Sequence, residues 1–231
     1  MPRAPKLIIF DCDGVLVDSE TISVGVLIEL VRSAGLGITE ADAYRLFLGR
    51  SMAAVEDMLR TDYALALSET DLNGIRTETF RRFRAELKPM PGIVEALSRL
   101  KVARCVASSS SPERIRLSLS LTGLLEMLEP HIYSASMVAR GKPAPDLFLH
   151  AAEEMGVRPE DCVVVEDSPA GIDAARRAGM RVFAFTGGAH AAEAGLEAGL
   201  ARLQPELIFS DMAGLPDLLA EVPSRMGGRA G

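Results

Sequence analysis

More than 90 residues separate the first strand-like run of this chain, KLIIF at 6–10, from the second, RCVA at 104–107. The other runs lie closer together: HIYSA at 131–135, CVVVE at 162–166, RVFAF at 181–185 and a weaker LIF at 207–209. Each is followed by a polar stretch that opens a helix-like segment, which is the rhythm of an α/β fold with a parallel sheet. An interval of this length is far beyond a normal crossover, so it must contain an inserted unit.

The insertion reads as helical. ETISVGVLIELVRSAG (20–35) sets Ile22, Val26, Leu27, Leu30 and Val31 on one face and stops at Gly35. Thr39 and Ser51 are N-cap candidates for helices carrying Phe47 and then Met52, Val55, Met58 and Leu59. Ser68 with Asp71 has the pattern of a capping box, ahead of Leu72, Ile75, Phe80, Phe83 and Leu87. Two prolines in KPMPG (88–92) end the pattern. The expected architecture is an α/β, Rossmann-like parallel-sheet core built from 1–17 and 89–231, with an inserted four-helix cap domain at 18–88. The Gly-rich end, RMGGRAG, reads as frayed.

Composition narrows the function. At 231 residues, with 48% hydrophobic and 25% charged side chains, the chain is an ordinary globular protein with a sizeable core. No apolar stretch approaches the ~18 residues that span a membrane, and the N-terminus passes directly into the first strand without a signal peptide. Cys12, Cys105 and Cys162 are an odd number, each in or beside a strand-like run, and read as reduced core residues of a cytoplasmic protein. A net charge of −7 argues against nucleic acid as the main partner. An anionic substrate would therefore depend on local cations.

The first strand ends in IIFDCDGVLVDSE (8–20), with Asp11 and Asp13 one residue apart. Carboxylates this close repel unless a cation or a shared proton lies between them. Asp13-Gly14 suits a turn, but a turn leaves Asp11 unexplained. An EF-hand loop needs an oxygen ligand, a glycine and a glutamate where this chain has Val15, Leu16 and Ile22. A solvated acidic loop would not return at once to Val15, Leu16 and Val17.

In open parallel sheets ligands bind outside the carboxyl ends of the strands. Ser108 follows the second strand, and because Ser110 or Ser111 stands closer to Pro112 as a helix cap, its hydroxyl is available for an anionic oxygen. Lys142 lies between Gly141 and Pro143 just ahead of a helix, more restricted than a floating surface lysine. Glu166 and Asp167 end the fourth strand, where Ser168 and Pro169 already serve as cap and first helical residue. Four acids at one sheet edge call for a divalent cation, and hard oxygen ligands suit Mg²⁺. Arg50, in a loop between two cap helices, is a candidate clamp for an anionic substrate group.

With DCDGVLVDSE, Ser108, Lys142 and EDSPAG in this order and spacing, the chain resembles the haloacid dehalogenase superfamily, in the branch whose helical cap lies between the first and second motifs. The resemblance implies that Asp11 is a nucleophile forming an aspartyl phosphate and Asp13 the general acid/base. It implies a catalytic set of Asp11, Asp13, Ser108 and Lys142, and phosphate binding by Gly14, Ser108, Ser109 and Lys142. The implied Mg²⁺ site is Asp11, Asp13 through its backbone carbonyl, Glu166 and Asp167, and substrate specificity falls to Glu20 and Arg50. True dehalogenases of the family lack the second aspartate, so Asp13 points to phosphoryl transfer.

The expectation is a Mg²⁺-dependent phosphatase, monomeric, acting on a small phosphomonoester such as a sugar or sugar-acid phosphate. The alternative is a sugar-phosphate mutase similar to β-phosphoglucomutase. Those enzymes place a histidine where this chain has Ser23, and an arginine where it has Met52. A non-catalytic binding protein on the same fold would be favoured by loss of Asp11 or Asp13, and both are present. There is no Gly-x-Gly-x-x-Gly after a strand, no Walker loop and no Gly-x-Ser-x-Gly. His131, His150 and His190 are scattered and read as structural or surface groups.

Overall fold

The structure, a computed structural model, describes residues 4–48, 50–189, 191 and 196–221. The Gly-rich end and His190 lie outside the described residues. Strands β1 (Leu7–Phe10), β2 (Ala103–Ser108), β3 (Ile132–Ser134), β4 (Cys162–Glu166), β5 (Arg181–Phe185) and β6 (Leu207–Phe209) form one parallel sheet in the order β3-β2-β1-β4-β5-β6. This confirms the expected α/β, Rossmann-like class.

The strand sequences are apolar on both faces because both faces are covered. Ile8, Phe10, Val106, Val163 and Val165 pack with Ile93, Leu97, Ile115 and Leu119 on one side. Leu7, Ile9, Val164 and Val182 pack with Leu147, Phe148 and Ile172 on the other. Cys12, Cys105 and Cys162 are free and buried; burial pushes the Cys162 thiol up to about 11. His131 is exposed, and His150 meets Tyr133 edge-on with ring centroids 5.5 Å apart.

Between β1 and β2 run helices α1 (Glu20–Ser33), α2 (Glu40–Phe47), α3 (Met52–Asp62) and α4 (Glu69–Glu86), then the core helix α5 (Ile93–Arg99); α6 (Pro112–Leu121), α7 (Leu125–Leu128), α8 (Asp146–Glu154) and α9 (Pro169–Arg177) follow in the core. Helices α1 to α4 form the insertion. Thr39, Ser51 and Ser68 each accept the backbone N–H three residues on, and Ser68 with Asp71 completes the capping box. These helices share their own hydrophobic cluster, including Val24, Leu27, Val31, Phe47, Val55, Leu59 and Ile75. The apolar face of α1 is rotated from the one expected: Val24 and Ile28 are buried and Ile22 is only half-buried. That helix is covered by both α2 and α4, so its buried arc is wider than a single stripe.

The entry and exit chains of the helical insertion run side by side. Asp18 N donates to Lys88 O (3.0 Å) and Met90 N to Leu16 O (2.9 Å). The insertion thus leaves and re-enters the sheet through one hydrogen-bonded neck, directly behind Asp11 and Asp13.

Candidate active site

Chain connectivity runs outward in opposite directions from β1 and β4, so the neighbouring pair β1 and β4 is the switch point where open α/β sheets form their crevice. Phe10 pairs with Val165 across that point, and Asp11 N donates to Val165 O (3.0 Å). Asp11 and Asp13 follow β1, Ser108 ends β2, and Glu166 and Asp167 close β4. All five are buried. They adjoin or line a cavity of about 270 Å³ between the sheet edge and the cap helices, which also exposes Glu20, Arg50, Ser109, Arg76 and Arg114.

The Lys142 side chain is 2% exposed and holds the centre. Its Nζ donates to Asp11 Oδ1 and Glu166 Oε1, both at 2.6 Å, and lies 4.9 Å from the ring centre of Phe148. Burial acts to lower the lysine's pKa, but the facing charges of Asp11 and Glu166 more than reverse it and hold the ammonium charged. Glu166 is fixed from behind by Ser168, whose N–H and hydroxyl both donate to Oε2 (2.8 and 2.9 Å). Ser168 also accepts from Gly171 N (3.1 Å) as the N-cap of α9 (Pro169–Arg177).

Asp13 has three donors on its two oxygens. Ser19 Oγ (2.6 Å) and Arg114 Nη2 (2.7 Å) donate to Oδ1, and Ser110 Oγ (2.6 Å) donates to Oδ2. Burial alone would raise its pKa, but the Arg114 charge and these hydrogen bonds win, holding the carboxyl below its ordinary value. Asp11 is the opposite case. Burial pushes it well up, only partly countered by Lys142, with Glu166 and Asp167 adding like-charge repulsion. Asp167 is likewise raised, by burial and then by Glu166.

Two assignments need correction. Four carboxylate side chains do not share one cation: Lys142 holds Glu166, while Arg114 and two serines hold the side chain of Asp13, whose implied contribution to the metal site is its backbone carbonyl. Among the described residues no three His, Cys, Asp or Glu side chains form a metal cage. Asp11, which also accepts from Lys142, and Asp167 are buried carboxylates, and burial disfavours the charge of both. That donor set still fits Mg²⁺, which keeps several waters and takes only one or two protein carboxylates besides substrate phosphate. Gly14 also differs from expectation. Its N–H donates to Val17 O (2.9 Å) and is not offered to a phosphate, and its φ of +75° makes it the turn residue of the loop.

The serine run after β2 divides its labour. Ser111 caps α6 (Pro112–Leu121), Ser108 Oγ accepts from Ser110 N (3.1 Å), and Ser110 is thereby free to reach Asp13. Sequence reasoning did not find Ser19, Ser110 or Arg114 as partners of Asp13. The available signal was an arginine in the first turn of a helix whose N-terminus faces the sheet edge.

A profile of the haloacid dehalogenase-like hydrolases matches residues 5–179. The chain belongs to this family. Among relatives of the haloacid dehalogenase-like hydrolase, 6-phosphogluconate phosphatase of Escherichia coli is 30% identical over 80% of this chain and 84% of its own length. The phosphorylated carbohydrates phosphatase of Thermotoga maritima is 32% identical over 89% of this chain and 97% of its own. A haloacid dehalogenase-like protein of Agrobacterium tumefaciens superposes with a TM-score of 0.80, at 39% identity over 93% of this chain and 97% of that one. No described helix of this hydrolase is long and apolar enough to cross a membrane.

Proposed function

We propose that this hydrolase removes phosphate from a small phosphorylated carbohydrate or sugar acid in a Mg²⁺-dependent reaction, with Asp11 as nucleophile and Asp13 as general acid/base. The enzyme is a phosphoric monoester hydrolase. The observation that carries the mechanism is the pairing of buried Asp11 with Lys142 at the floor of a cavity lined by Ser108 and Ser109. The relatives' substrates, 6-phosphogluconate and phosphorylated carbohydrates, supply the substrate class.

Asp11 attacks phosphorus, and the bond to the leaving oxygen breaks with its electron pair going to that oxygen. Lys142 offsets the charge brought together by a carboxylate and a phosphate. Asp13, carrying the proton it took from water in the preceding turnover, passes it to the leaving oxygen and ends the step as the carboxylate that Arg114 stabilises. In the second half Asp13 takes a proton from water, the water oxygen attacks the phosphorus of the aspartyl phosphate, and phosphate departs with Asp11 restored. Mg²⁺, held by Asp11 and Asp167, would neutralise phosphoryl oxygens as a Lewis acid. The cap, with Glu20 on α1 and Arg50 in the loop between α2 and α3, faces the leaving group and sets its identity.

A phosphatase is favoured over a mutase by Ser23. Its hydroxyl donates to Ser19 O (2.8 Å) and accepts from Arg114 (2.9 Å), so no imidazole stands there to couple cap closure to a sugar phosphate. The test is phosphate release from a panel of sugar, sugar-acid and polyol phosphates with and without chelator, beside β-glucose 1-phosphate with a trace of the bisphosphate. Chelator-sensitive phosphate release supports the proposal. Efficient formation of glucose 6-phosphate with little free phosphate would overturn it.

A further inference from the structure

Arg114 belongs to the core helix α6, yet its contacts lie on both sides of the seam between sheet and cap. Its Nη2 reaches Asp13 Oδ1 (2.7 Å) and Ser23 Oγ on α1 (2.9 Å). Its guanidinium carbon lies 5.0 Å from the ring centre of Phe83 on α4. Nε is buried with no partner, so the contacts described for the group are one nitrogen and a stacked ring. At the neighbouring position of α6, Glu113 pairs with Arg76 on α4 (3.3 Å). The same patch of α6 is therefore where the cap meets the core.

We propose that Arg114 is the positioning residue for Asp13, locking the orientation of its carboxyl when the cap helices lie in the arrangement seen here; the proposal rests on Asp13 being the general acid/base. Arginine is a donor only, so the oxygen it holds cannot present a proton to it. Oδ1 is taken by Arg114 and Ser19, which turns Oδ2 into the oxygen that exchanges a proton with the leaving group. Oδ2 meets the Ser110 hydroxyl, which can donate or accept by rotation. Ser23 and Phe83 are cap groups, so withdrawal of the cap removes the supports of the guanidinium. Orientation of the proton carrier is thereby tied to cap position, and bond cleavage is tied to an enclosed substrate.

The role predicts dependence on the leaving group, which general loss of structure does not. Nitrophenolate departs without help, whereas the more basic phenolate gains more from a proton delivered as the bond breaks. The measurement is kcat/KM, which reports steps through phosphoryl transfer, for phenyl phosphate and p-nitrophenyl phosphate. Arg114→Met should lower kcat/KM for phenyl phosphate about tenfold or more beyond its effect on the nitrophenyl ester. Ser23→Ala removes the hydrogen bond from Arg114 together with the one to Ser19 O, leaves Arg114 and Asp13 in place, and should widen the ratio in the same direction by a smaller factor. Asp13→Asn, run alongside, separates two failures. If Asp13→Asn widens the ratio and Arg114→Met lowers both esters equally, or neither, the positioning role is overturned while the acid/base reading stands. If Asp13→Asn leaves the ratio unchanged, the acid/base reading fails and this proposal with it.

Discussion

Nζ of Lys142 lies 2.6 Å from Oδ1 of Asp11, and the lysine side chain is 2% exposed. A cation this deep is tolerated only while its acidic partners are present, and they in turn depend on it. Lys142→Met strands Asp11 and Glu166 as buried carboxylates. The variant should lose about 3 kcal/mol of unfolding free energy and at least about 100-fold in kcat. Urea denaturation with steady-state kinetics checks both, and wild-type stability would show that the buried pair does not hold the sheet edge together.

Asp11→Asn should abolish turnover while leaving the thermal transition cooperative, because the amide has the carboxylate's shape without a nucleophilic oxygen. Wild-type enzyme exposed to labelled substrate and quenched in acid should carry label on the peptide containing Asp11. Label on another residue, or turnover by the asparagine variant, would remove Asp11 from the nucleophile's role.

Alanine normally stabilises a helix relative to glycine by about 1 kcal/mol, yet Gly171→Ala is expected to do the reverse. A Cβ there would overlap the Glu166 carboxyl. Displaced, Glu166 loses Lys142 and Ser168 together, so both melting temperature and kcat should fall. A higher melting temperature would show that α9 shifts freely to make room.

Arg50 lines the cavity from the cap, exposed and with its backbone N donating to Phe47 O (3.2 Å). Arg50→Ala should raise KM for the best substrate of the panel several-fold more than for p-nitrophenyl phosphate, which has no second anionic group to clamp. Equal effects on the two would take Arg50 out of substrate selection.

Glu78 on α4 accepts from Arg81 (2.7 Å) and Arg82 (2.7 Å), and these hydrogen bonds lower its pKa to about 2 from the ordinary 4.5. A depressed folded-state pKa contributes stability above the unfolded value and loses it as pH falls through the folded one. The stability gap between wild type and Glu78→Gln should therefore be constant above about pH 5 and shrink between pH 4.5 and 2. Urea titrations across that range measure it; a gap that grows on acidification would reverse the assignment.

The sheet was legible in the sequence because its strands are buried on both faces and read as unbroken apolar runs; β4, β5 and β6 fall on the residues expected. The helical insertion was legible through its caps, since Thr39, Ser51 and Ser68 act on backbone groups three residues away. The same local logic brought Asp11, Asp13, Ser108, Lys142, Glu166 and Asp167 to one sheet edge, because each follows a strand or its loop.

Which of these side chains face one another was decided only by tertiary structure. Glu166 and Asp13 read alike as metal-seeking carboxylates, but Lys142 arrives from 24 residues before one, and Arg114 from 101 residues beyond the other. Ser110 and Ser111 are equivalent in sequence until the first turn of α6 selects Ser111 as its cap and leaves Ser110 to Asp13. Periodicity and capping report interactions within a few residues along the chain. A charge pairs with whatever the fold brings within about 3 Å, and no local pattern encodes that neighbour.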